Sequence, residues 1–385
     1  MSWKIAEVMF NNHPVLGDLK LDFSTPFGIA DTIILAGENG TGKSTVLDCL
    51  YKAVSGTGEV ECKITICKPG QSRVLVFKRE QNYTVVSDGS GRNYASGGDT
   101  FKRAYSLNGI YSDVGINFSA DNVSAVTSKT LDSSTTSIRS TSSLPKEIKQ
   151  LIVDIQALDD HDLSEAYRKT KREGLDTNTI RVNERMSRFT KAFIRVFEGL
   201  KYDIVINSNG HKEILFEKYG KKISIDSLSS GEKQIIYRGA FLLKDANSLS
   251  GSMVFIDEPE ISLHPVWQMK VMEFYKGIFT NDEGIQTSQL FAVTHSPFVI
   301  HNNNRRNDKI IILARDENGN IVVKDKPEYY KCDSVEAVED AFYIKSFSAE
   351  QPTVYLEGRT DEKYFKRAVQ VYGVSVPFKC TPSGS

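Results

Sequence analysis

Apolar and polar positions change their period several times along the 385-residue chain, and each change marks an element. Strand-like runs at residues 5–10 and 19–23, parted by the turn-rich Asn11-Asn12-His13-Pro14, predict two strands. Residues 32–36 form a short β-branched apolar run of the length of a buried parallel strand. Val46, Leu47, Leu50 and Val54 then recur at helical spacing. After the break at Ser55-Gly56-Thr57-Gly58, residues 60–66, 73–78 and 83–87 predict an antiparallel layer beside the main sheet.

The middle of the chain reads differently. Residues 119–143 are dominated by Ser and Thr, with too few large apolar side chains to offset the entropy of ordering them, so a mobile loop is expected. From Pro145, the positions Ile148, Leu151, Ile152, Ile155 and Leu158 predict an amphipathic helix, followed by a charge-rich stretch at 159–184. Met186, Phe189, Phe193, Val196, Phe197 and Leu200 make a second helical stripe, read as packing rather than chemistry. No sustained heptads occur before residue 228, which argues against a long coiled-coil arm. Residues 203–207 and 213–217 read as paired strands turning at Ser208-Asn209-Gly210. The organisation expected is a first lobe at 1–118, a Ser/Thr-rich loop and helical insert at 119–202, a second lobe at 203–345 and a further domain beginning at 346–385.

Composition narrows the class without naming a partner. Charged residues at 25% and hydrophobic ones at 40% are those of a globular chain. A formal net charge of -1 neither supports nor excludes nucleic acid. No apolar run approaches the roughly 18 residues of a membrane span, and Met1-Ser2-Trp3-Lys4-Ile5-Ala6-Glu7 lacks a signal-peptide core, so a cytoplasmic protein with no membrane partner is expected. Cys49, Cys62, Cys67, Cys332 and Cys380 form no C-x-x-C pair, which fits free thiols better than zinc or disulfides.

Chemistry concentrates at four places. Gly37-Glu38-Asn39-Gly40-Thr41-Gly42-Lys43-Ser44-Thr45 fits the phosphate-binding loop G-x-x-x-x-G-K-[ST] and lies between a predicted strand and a predicted helix. There Gly37, Asn39, Gly40, Gly42 and Thr45 would let backbone N–H groups close around phosphates. Lys43 would reach the β- and γ-phosphates and Ser44 would ligate magnesium, so ATP and Mg²⁺ are the expected cofactors. Leu228-Ser229-Ser230-Gly231-Glu232 opens a helix and, alone, is ordinary N-capping chemistry. Met253-Val254-Phe255-Ile256-Asp257-Glu258 has the form of a Walker B strand, with two acids at the carboxyl edge of a parallel sheet. Leu290-Phe291-Ala292-Val293-Thr294-His295 is a further apolar strand, ending in a histidine.

In this order the motifs resemble the ABC-type ATPase heads, and within them the SMC/RecF/OLD branch. The resemblance implies an α/β fold: a P-loop ATPase head with a mixed sheet, an antiparallel β layer and a helical insert. It implies that Asp257 orients magnesium, Glu258 is the general base and His295 senses the γ-phosphate, with Lys43 contributing to catalysis. Ser229 and Gly231 resemble signature residues, which in that family complete the ATP site of a second subunit in a head-to-tail homodimer or higher homo-oligomer. Ser230 departs from the Gly of many signatures. Pro259-Glu260-Ile261-Ser262-Leu263-His264-Pro265 resembles the E-x-x-L-H-P form of RecF- and OLD-like ATPases rather than the transporter S-A-L-D loop. The Q-loop glutamine is unassigned, with Gln81 and Gln150 as placeholders.

Near the end, Thr353-Val354-Tyr355-Leu356-Glu357-Gly358-Arg359-Thr360-Asp361 is a strand ending in E-G-x-x-D and resembles the opening of a TOPRIM domain, with Glu357 and Asp361 as metal ligands. Two carboxylates are too few for two-metal cleavage, and no D-x-D follows before Ser385. The expectation is an OLD-like ATPase controlling a DNA nuclease, with DNA as a partner, in anti-phage defence. The alternatives are a pure ATPase restraining a separate effector nuclease, as in Septu- or retron-associated systems, and a RecF- or SMC-like DNA repair ATPase.

Overall fold

Strands that bury both faces are apolar at every position, and those that bury one face alternate; the computed structural model sorts the runs in that way. It describes residues 2–80, 83–112, 123, 125–127, 137–138, 144–180, 185–194, 197, 199–208, 210–243, 250–281, 283–300, 308–324, 353–356, 359–373 and 379–382. The chain divides into two compact units, Met1–Lys331 and Cys332–Ser385.

The first unit opens with strands β1 (Lys4–His13) and β2 (Gly17–Asp22), a small hairpin of β3 (Ser24–Thr25) and β4 (Gly28–Ile29), strand β5 (Thr32–Gly37) and helix α1 (Lys43–Ser55). Strands β6 (Cys62–Lys68), β7 (Gln71–Glu80), β8 (Tyr83–Asp88) and β9 (Asn93–Ala95) lead to helix α2 (Asp99–Tyr105) and strands β10 (Gly109–Ser112) and β11 (Ser137–Ile138). Helices α3 (Leu144–Arg172) and α4 (Arg185–Ile194) precede β12 (Leu200–Ser208), β13 (His211–Lys218) and β14 (Lys221–Ser224). Then come α5 (Ser230–Leu242), β15 (Met253–Asp257), α6 (Pro265–Ile278), β16 (Gln289–Thr294), α7 (Pro297–Ile300), β17 (Lys309–Arg315) and β18 (Ile321–Val323).

Seven strands form the main sheet in the order β11-β10-β15-β16-β5-β17-β18, parallel except for the antiparallel edge strand β18. A six-stranded sheet, β2-β1-β6-β7-β8-β9, is antiparallel throughout, and β12-β13-β14 form a third, smaller antiparallel sheet. The mixed sheet and antiparallel layer expected from the sequence are both present. β1 and β2 join the antiparallel sheet rather than the nucleotide strand's own.

Period-two alternation divides the central strands between two cores. Ile33 and Leu35 of β5, Phe255 of β15 and Phe291 of β16 face α1 and the antiparallel sheet, where the Phe255 and Phe291 rings stack 5.2 Å apart. Ile34, Val254, Ile256 and Ala292 face the opposite core, built with α3, α4, α5 and α6. With both faces covered, these strands are apolar through their middles, with Thr32 and Gln289 at their starts and their one ionisable group, Asp257, at the C-terminal edge.

Two expectations change, and a third falls largely outside the described residues. Helix α3 runs on to Arg172 through half of the charge-rich stretch, whose side chains lie mostly on its exposed surface. Leu200 begins β12 instead of continuing the helical stripe, because α4 stops at Ile194 and the backbone turns at Gly199 with φ +78°. Most of 119–143 lies outside the described residues. Of those described, Val123 is buried and pairs with Lys212, Thr127 donates from N and Oγ1 to Asp154 at 2.7 and 2.8 Å, and β11 joins the sheet edge, while Ala125 and Val126 are exposed.

The second unit contains β19 (Thr353–Leu356), helix α8 (Arg359–Tyr372) and β20 (Lys379–Pro382), the two strands being parallel. A helix between parallel neighbouring strands is a βαβ unit. Among the described residues no helix is long and apolar enough to cross a membrane.

Candidate functional site

The phosphate loop is shaped by its glycines. At Gly37, where φ is +144°, an added Cβ would lie 2.1 Å from the Leu313 carbonyl oxygen of β17, so no side chain fits. Gly42 takes φ +78° as the residue capping α1, and Leu16 and Ile321 stand where its Cβ would project. The loop is closed on itself: Lys43 Nζ donates to the carbonyls of Gly37 and Glu38 at 2.9 and 2.8 Å, and Thr41 Oγ1 donates to Glu38 O at 2.8 Å. From β17, Arg315 Nη2 donates to Gly40 O at 2.7 Å. Burial lowers the pKa of the Lys43 ammonium, against the raising influence of Glu258, Asp257 and Glu260. Asn39, Gly40 and Ser44 are exposed and Thr45 is half-buried, so the N-terminus of a 13-residue helix opens to solvent as a ready anion site.

Adjacent parallel strands bring the other groups alongside. β16 lies between β5 and β15, so Gly37, Thr294 and Asp257 sit at one edge of the sheet. Ser44 Oγ donates to Asp257 Oδ1 at 3.2 Å, and Tyr111 Oη of β10 stands 3.5 Å from Oδ2. A hydroxyl beside a carboxylate is the donor set of a hard, oxygen-seeking cation. Among the described residues no three His, Cys, Asp or Glu side chains converge as a metal cage. Mg²⁺ is held through one or two protein groups plus phosphate oxygens and water, and Ser44 with Asp257 are groups of that kind.

Glu258 adopts a left-handed backbone, φ +44°, which costs a non-glycine residue roughly 1–2 kcal/mol. It is pinned from two directions: its N–H donates to Val293 O at 2.9 Å, and Arg238 Nη1 donates to the carbonyls of Asp257 and Glu258 at 2.9 and 3.1 Å. The conformation turns its carboxylate toward the switch loop, where His295 Nδ1 lies 3.3 Å from Oε1. His295 is half exposed and faces the solvent side of the same edge.

The signature segment is a capping box. Ser229, exposed at the N-cap of α5, donates from N and Oγ to Glu232 Oε2 at 2.8 and 2.9 Å, and its oxygen accepts from Glu232 N at 3.4 Å. Buried Glu232 pairs in turn with Lys218 of β13 at 2.8 Å. Lys149 of α3 reaches Asp226 just before the motif at 2.6 Å. Gly231 is required by contact, since a Cβ there would lie 2.6 Å from Ser262 O in the loop after β15. N-capping and signature readings thus describe the same atoms.

Several participants escape sequence inspection. Arg238 sits fully buried in the apolar second half of α5, and only the cost of an unpaired internal charge hints that it must hold something. Glu260 is visible as the acid of the E-x-x-L-H-P form, but its burial and its bond to Thr294 are not. Gln268 of α6 links that loop to the switch loop, donating to Leu263 O at 2.8 Å and accepting from Ser296 Oγ at 2.5 Å. Of the placeholder glutamines, Gln150 directs its amide to Ala125 O and Asp154, whereas Gln81 lies outside the described residues. Glu357 also lies outside them; Asp361 is exposed in the first turn of α8, in the second unit.

Phosphate loop, acidic strand end and His295 gather at one edge of the parallel sheet, with the capped helix α5 tied to the strand end through Arg238. Over residues 116–301 the chain matches the family model described as "AAA domain, putative AbiEii toxin, Type IV TA system". It is similar to the "Retron Vc95 probable ATPase" of Vibrio cholerae serotype O1 biovar El Tor, with 30% identity over 125 residues, covering 30% of this chain and 23% of that protein. It is also similar to the "Septu protein PtuA" of Bacillus thuringiensis, with 32% identity over 133 residues, covering 33% of this chain and 30% of that one. The chain thus matches less than a third of the length of either relative. Among solved structures it is similar to an Smc head bound to the C-winged helix domain of ScpA, with TM-score 0.49, 17% identity, and 83% of this chain and 97% of that chain covered. It is likewise similar to the Smc head domain with an extended coiled coil from the Pyrococcus furiosus ScpA complex, with TM-score 0.48, 16% identity, and 88% and 99% covered. The family match spans the signature helix, the Walker B strand and the switch histidine, and the phosphate loop precedes it.

Proposed function

We propose that the chain binds ATP with Mg²⁺, hydrolyses it between two copies arranged head to tail, and uses its nucleotide state to control a DNA-cleaving effector in anti-phage defence, in the cytoplasm. The observation that carries the ATPase reading is the 3.2 Å contact of Ser44 with Asp257, on the same sheet edge as Lys43, Glu258 and His295. Phosphoryl transfer asks for an oriented water and neutralised phosphate oxygens more than for covalent help. Lys43 would exchange its two loop carbonyls for phosphate oxygens. Ser44 and Asp257 would hold Mg²⁺, which supplies charge neutralisation when bound. Glu258 would orient and deprotonate the attacking water, with His295 beside it sensing the γ-phosphate. Ser229 of the partner subunit would close over the triphosphate from an exposed helix N-terminus.

Similarity to a retron ATPase and a Septu protein supports the defence role, and the first reading places the effector nuclease on a separate chain. The second reading places the nuclease in this polypeptide: Asp361 opens the helix of a βαβ unit, where the E-G-x-x-D resemblance would have it. Its other acid, Glu357, would need further carboxylates to hold two metals.

The test is Glu258→Gln in the full chain. ATP binding should persist, hydrolysis should fall about 10²-fold or more, and light scattering should show a nucleotide-trapped dimer. Hydrolysis at the parent rate would remove Glu258 from its role. For the effector, DNA cleavage that depends on ATP state but survives Glu357→Ala would move the nuclease to a partner protein.

A further inference from the structure

Between the loop after β15 and the switch loop after β16, one buried carboxylate gathers donors from both sides of His295. Glu260 Oε1 accepts from Thr294 Oγ1 at 2.5 Å and from the main-chain N–H of His295 at 3.3 Å, and the His295 ring Nδ1 stands 3.9 Å away. The Glu260 side chain is 5% exposed, against 29% for Glu258 and 49% for His295. Thr294 Oγ1 accepts in turn from Ser296 N at 3.0 Å, so the same bond orders the residues flanking the histidine. His295 therefore sits between two carboxylates of different kinds, an accessible one that faces the reaction and an enclosed one that grips its backbone.

We infer that Glu260 is a positioning residue for the ATPase reaction: it fixes the main chain of the switch loop so that the His295 ring meets Glu258. This rests on the ATPase reading above. It follows from geometry. A histidine at a strand end, half exposed, has free rotation about its own backbone unless that backbone is tied. The His295 N–H and the Thr294 hydroxyl tie it on one side, both ending on one Glu260 oxygen, while Gln268 holds Ser296 on the other. Removing that oxygen leaves a fully buried Thr294 hydroxyl and a backbone N–H unpaired, which shifts the loop rather than only weakening it. A displacement of about 1 Å at a group beside the reaction centre is enough to cost about 10²-fold in rate.

The experiment is a double-mutant cycle on the full-length protein, reading kcat and ATP affinity separately. H295A should lower kcat about 10²-fold. E260L should lower kcat about 10- to 100-fold while ATP affinity changes by less than about 3-fold, and E260Q, which keeps an acceptor oxygen, should retain most of the rate. The decisive variant is E260L/H295A, whose kcat should match that of H295A alone, because Glu260 acts through the ring already removed. Should E260L fail to fold, T294V removes the shorter bond, together with the acceptor of the Ser296 N–H, and should show the same lack of additivity with H295A. If E260L multiplies the H295A loss, the His295 role stands and Glu260 loses its own. If H295A hydrolyses ATP at the parent rate, the histidine leaves the reaction and takes this role for Glu260 with it.

Discussion

Arg238 and Glu258 meet through the backbone: the guanidinium of a fully buried arginine donates to the carbonyl oxygen of the acid at 3.1 Å, and to that of Asp257 at 2.9 Å. The arginine stands nine positions after Ser229 on the helix that Ser229 caps. One end of α5 therefore presents the exposed serine and its interior holds the strand end that carries the acid. The sterically disfavoured φ of Glu258 persists because its neighbours over-determine it, and Arg238 is the strongest of them.

Arg238→Met should separate binding from turnover. The substitution keeps the volume but leaves two buried carbonyls without this donor, at about 1–3 kcal/mol each, so melting temperature falls. ATP affinity, set by the loop at Gly37–Ser44 on another strand, should change little, while hydrolysis falls at least 10-fold as Glu258 relaxes from φ +44°. Equilibrium nucleotide binding beside steady-state turnover checks this. Parallel loss of both would reduce Arg238 to a packing residue.

Gly37→Ala is expected to destroy the nucleotide site outright. The new methyl would sit 2.1 Å from the Leu313 carbonyl oxygen, so β5 and β17 would have to part or the loop to move. Gly40→Ala makes the control, because nothing lies within 4 Å of its Cβ position and only the φ of +78° resists the change, at roughly 1–2 kcal/mol. Nucleotide binding by calorimetry should vanish in the first and survive, weakened, in the second.

Much of this site is legible in the sequence because glycine and charge are conspicuous where apolar runs end. The phosphate loop, the acids after β15 and the histidine after β16 all sit at such endings, and each falls on the same sheet edge. What could not be read is what lies inside. Arg238 is the one charged residue in the buried half of its helix, residues 235–242, and spacing does not say which carbonyls a buried guanidinium will find. Leu200 shares a spacing with the helix before it, and only the turn at Gly199 sends it into a strand. The partnership of Glu260 with Thr294 joins residues 34 apart in sequence through strand order, which no local pattern encodes.

Glu260 also carries a pH signature. Burial raises its pKa above the ordinary value of 4.5, outweighing the hydrogen bond from Thr294 that lowers it. A raised folded value means that the native state holds this proton more tightly than the unfolded chain. Its contribution is complete below the unfolded pKa and is lost as pH rises through the folded one. Glu260→Gln removes the titration, so the stability difference between variant and parent should move in favour of Gln as pH rises from about 4.5 to 8. Urea unfolding across that range measures it, and a constant difference would show the carboxyl to titrate normally.

Ser229→Arg tests whether the exposed helix end serves a second molecule. In a single chain, Ser229 acts only as the N-cap of α5, and losing that cap costs about 1 kcal/mol. The long cation would project from an exposed position, leaving the phosphate loop of its own chain untouched. If the serine completes the site of a neighbour, hydrolysis and ATP-driven dimerisation should both disappear while binding of ATP to the monomer stays at the parent affinity. Mixing it with Lys43→Ala, which keeps an intact serine but lacks the phosphate lysine, sharpens the outcome. A head-to-tail pair of the two variants contains one site with both intact elements and one with neither, so a fraction of the activity should return. Continued absence of activity in that mixture, with both proteins folded, would mean that nucleotide is hydrolysed without help from a second copy.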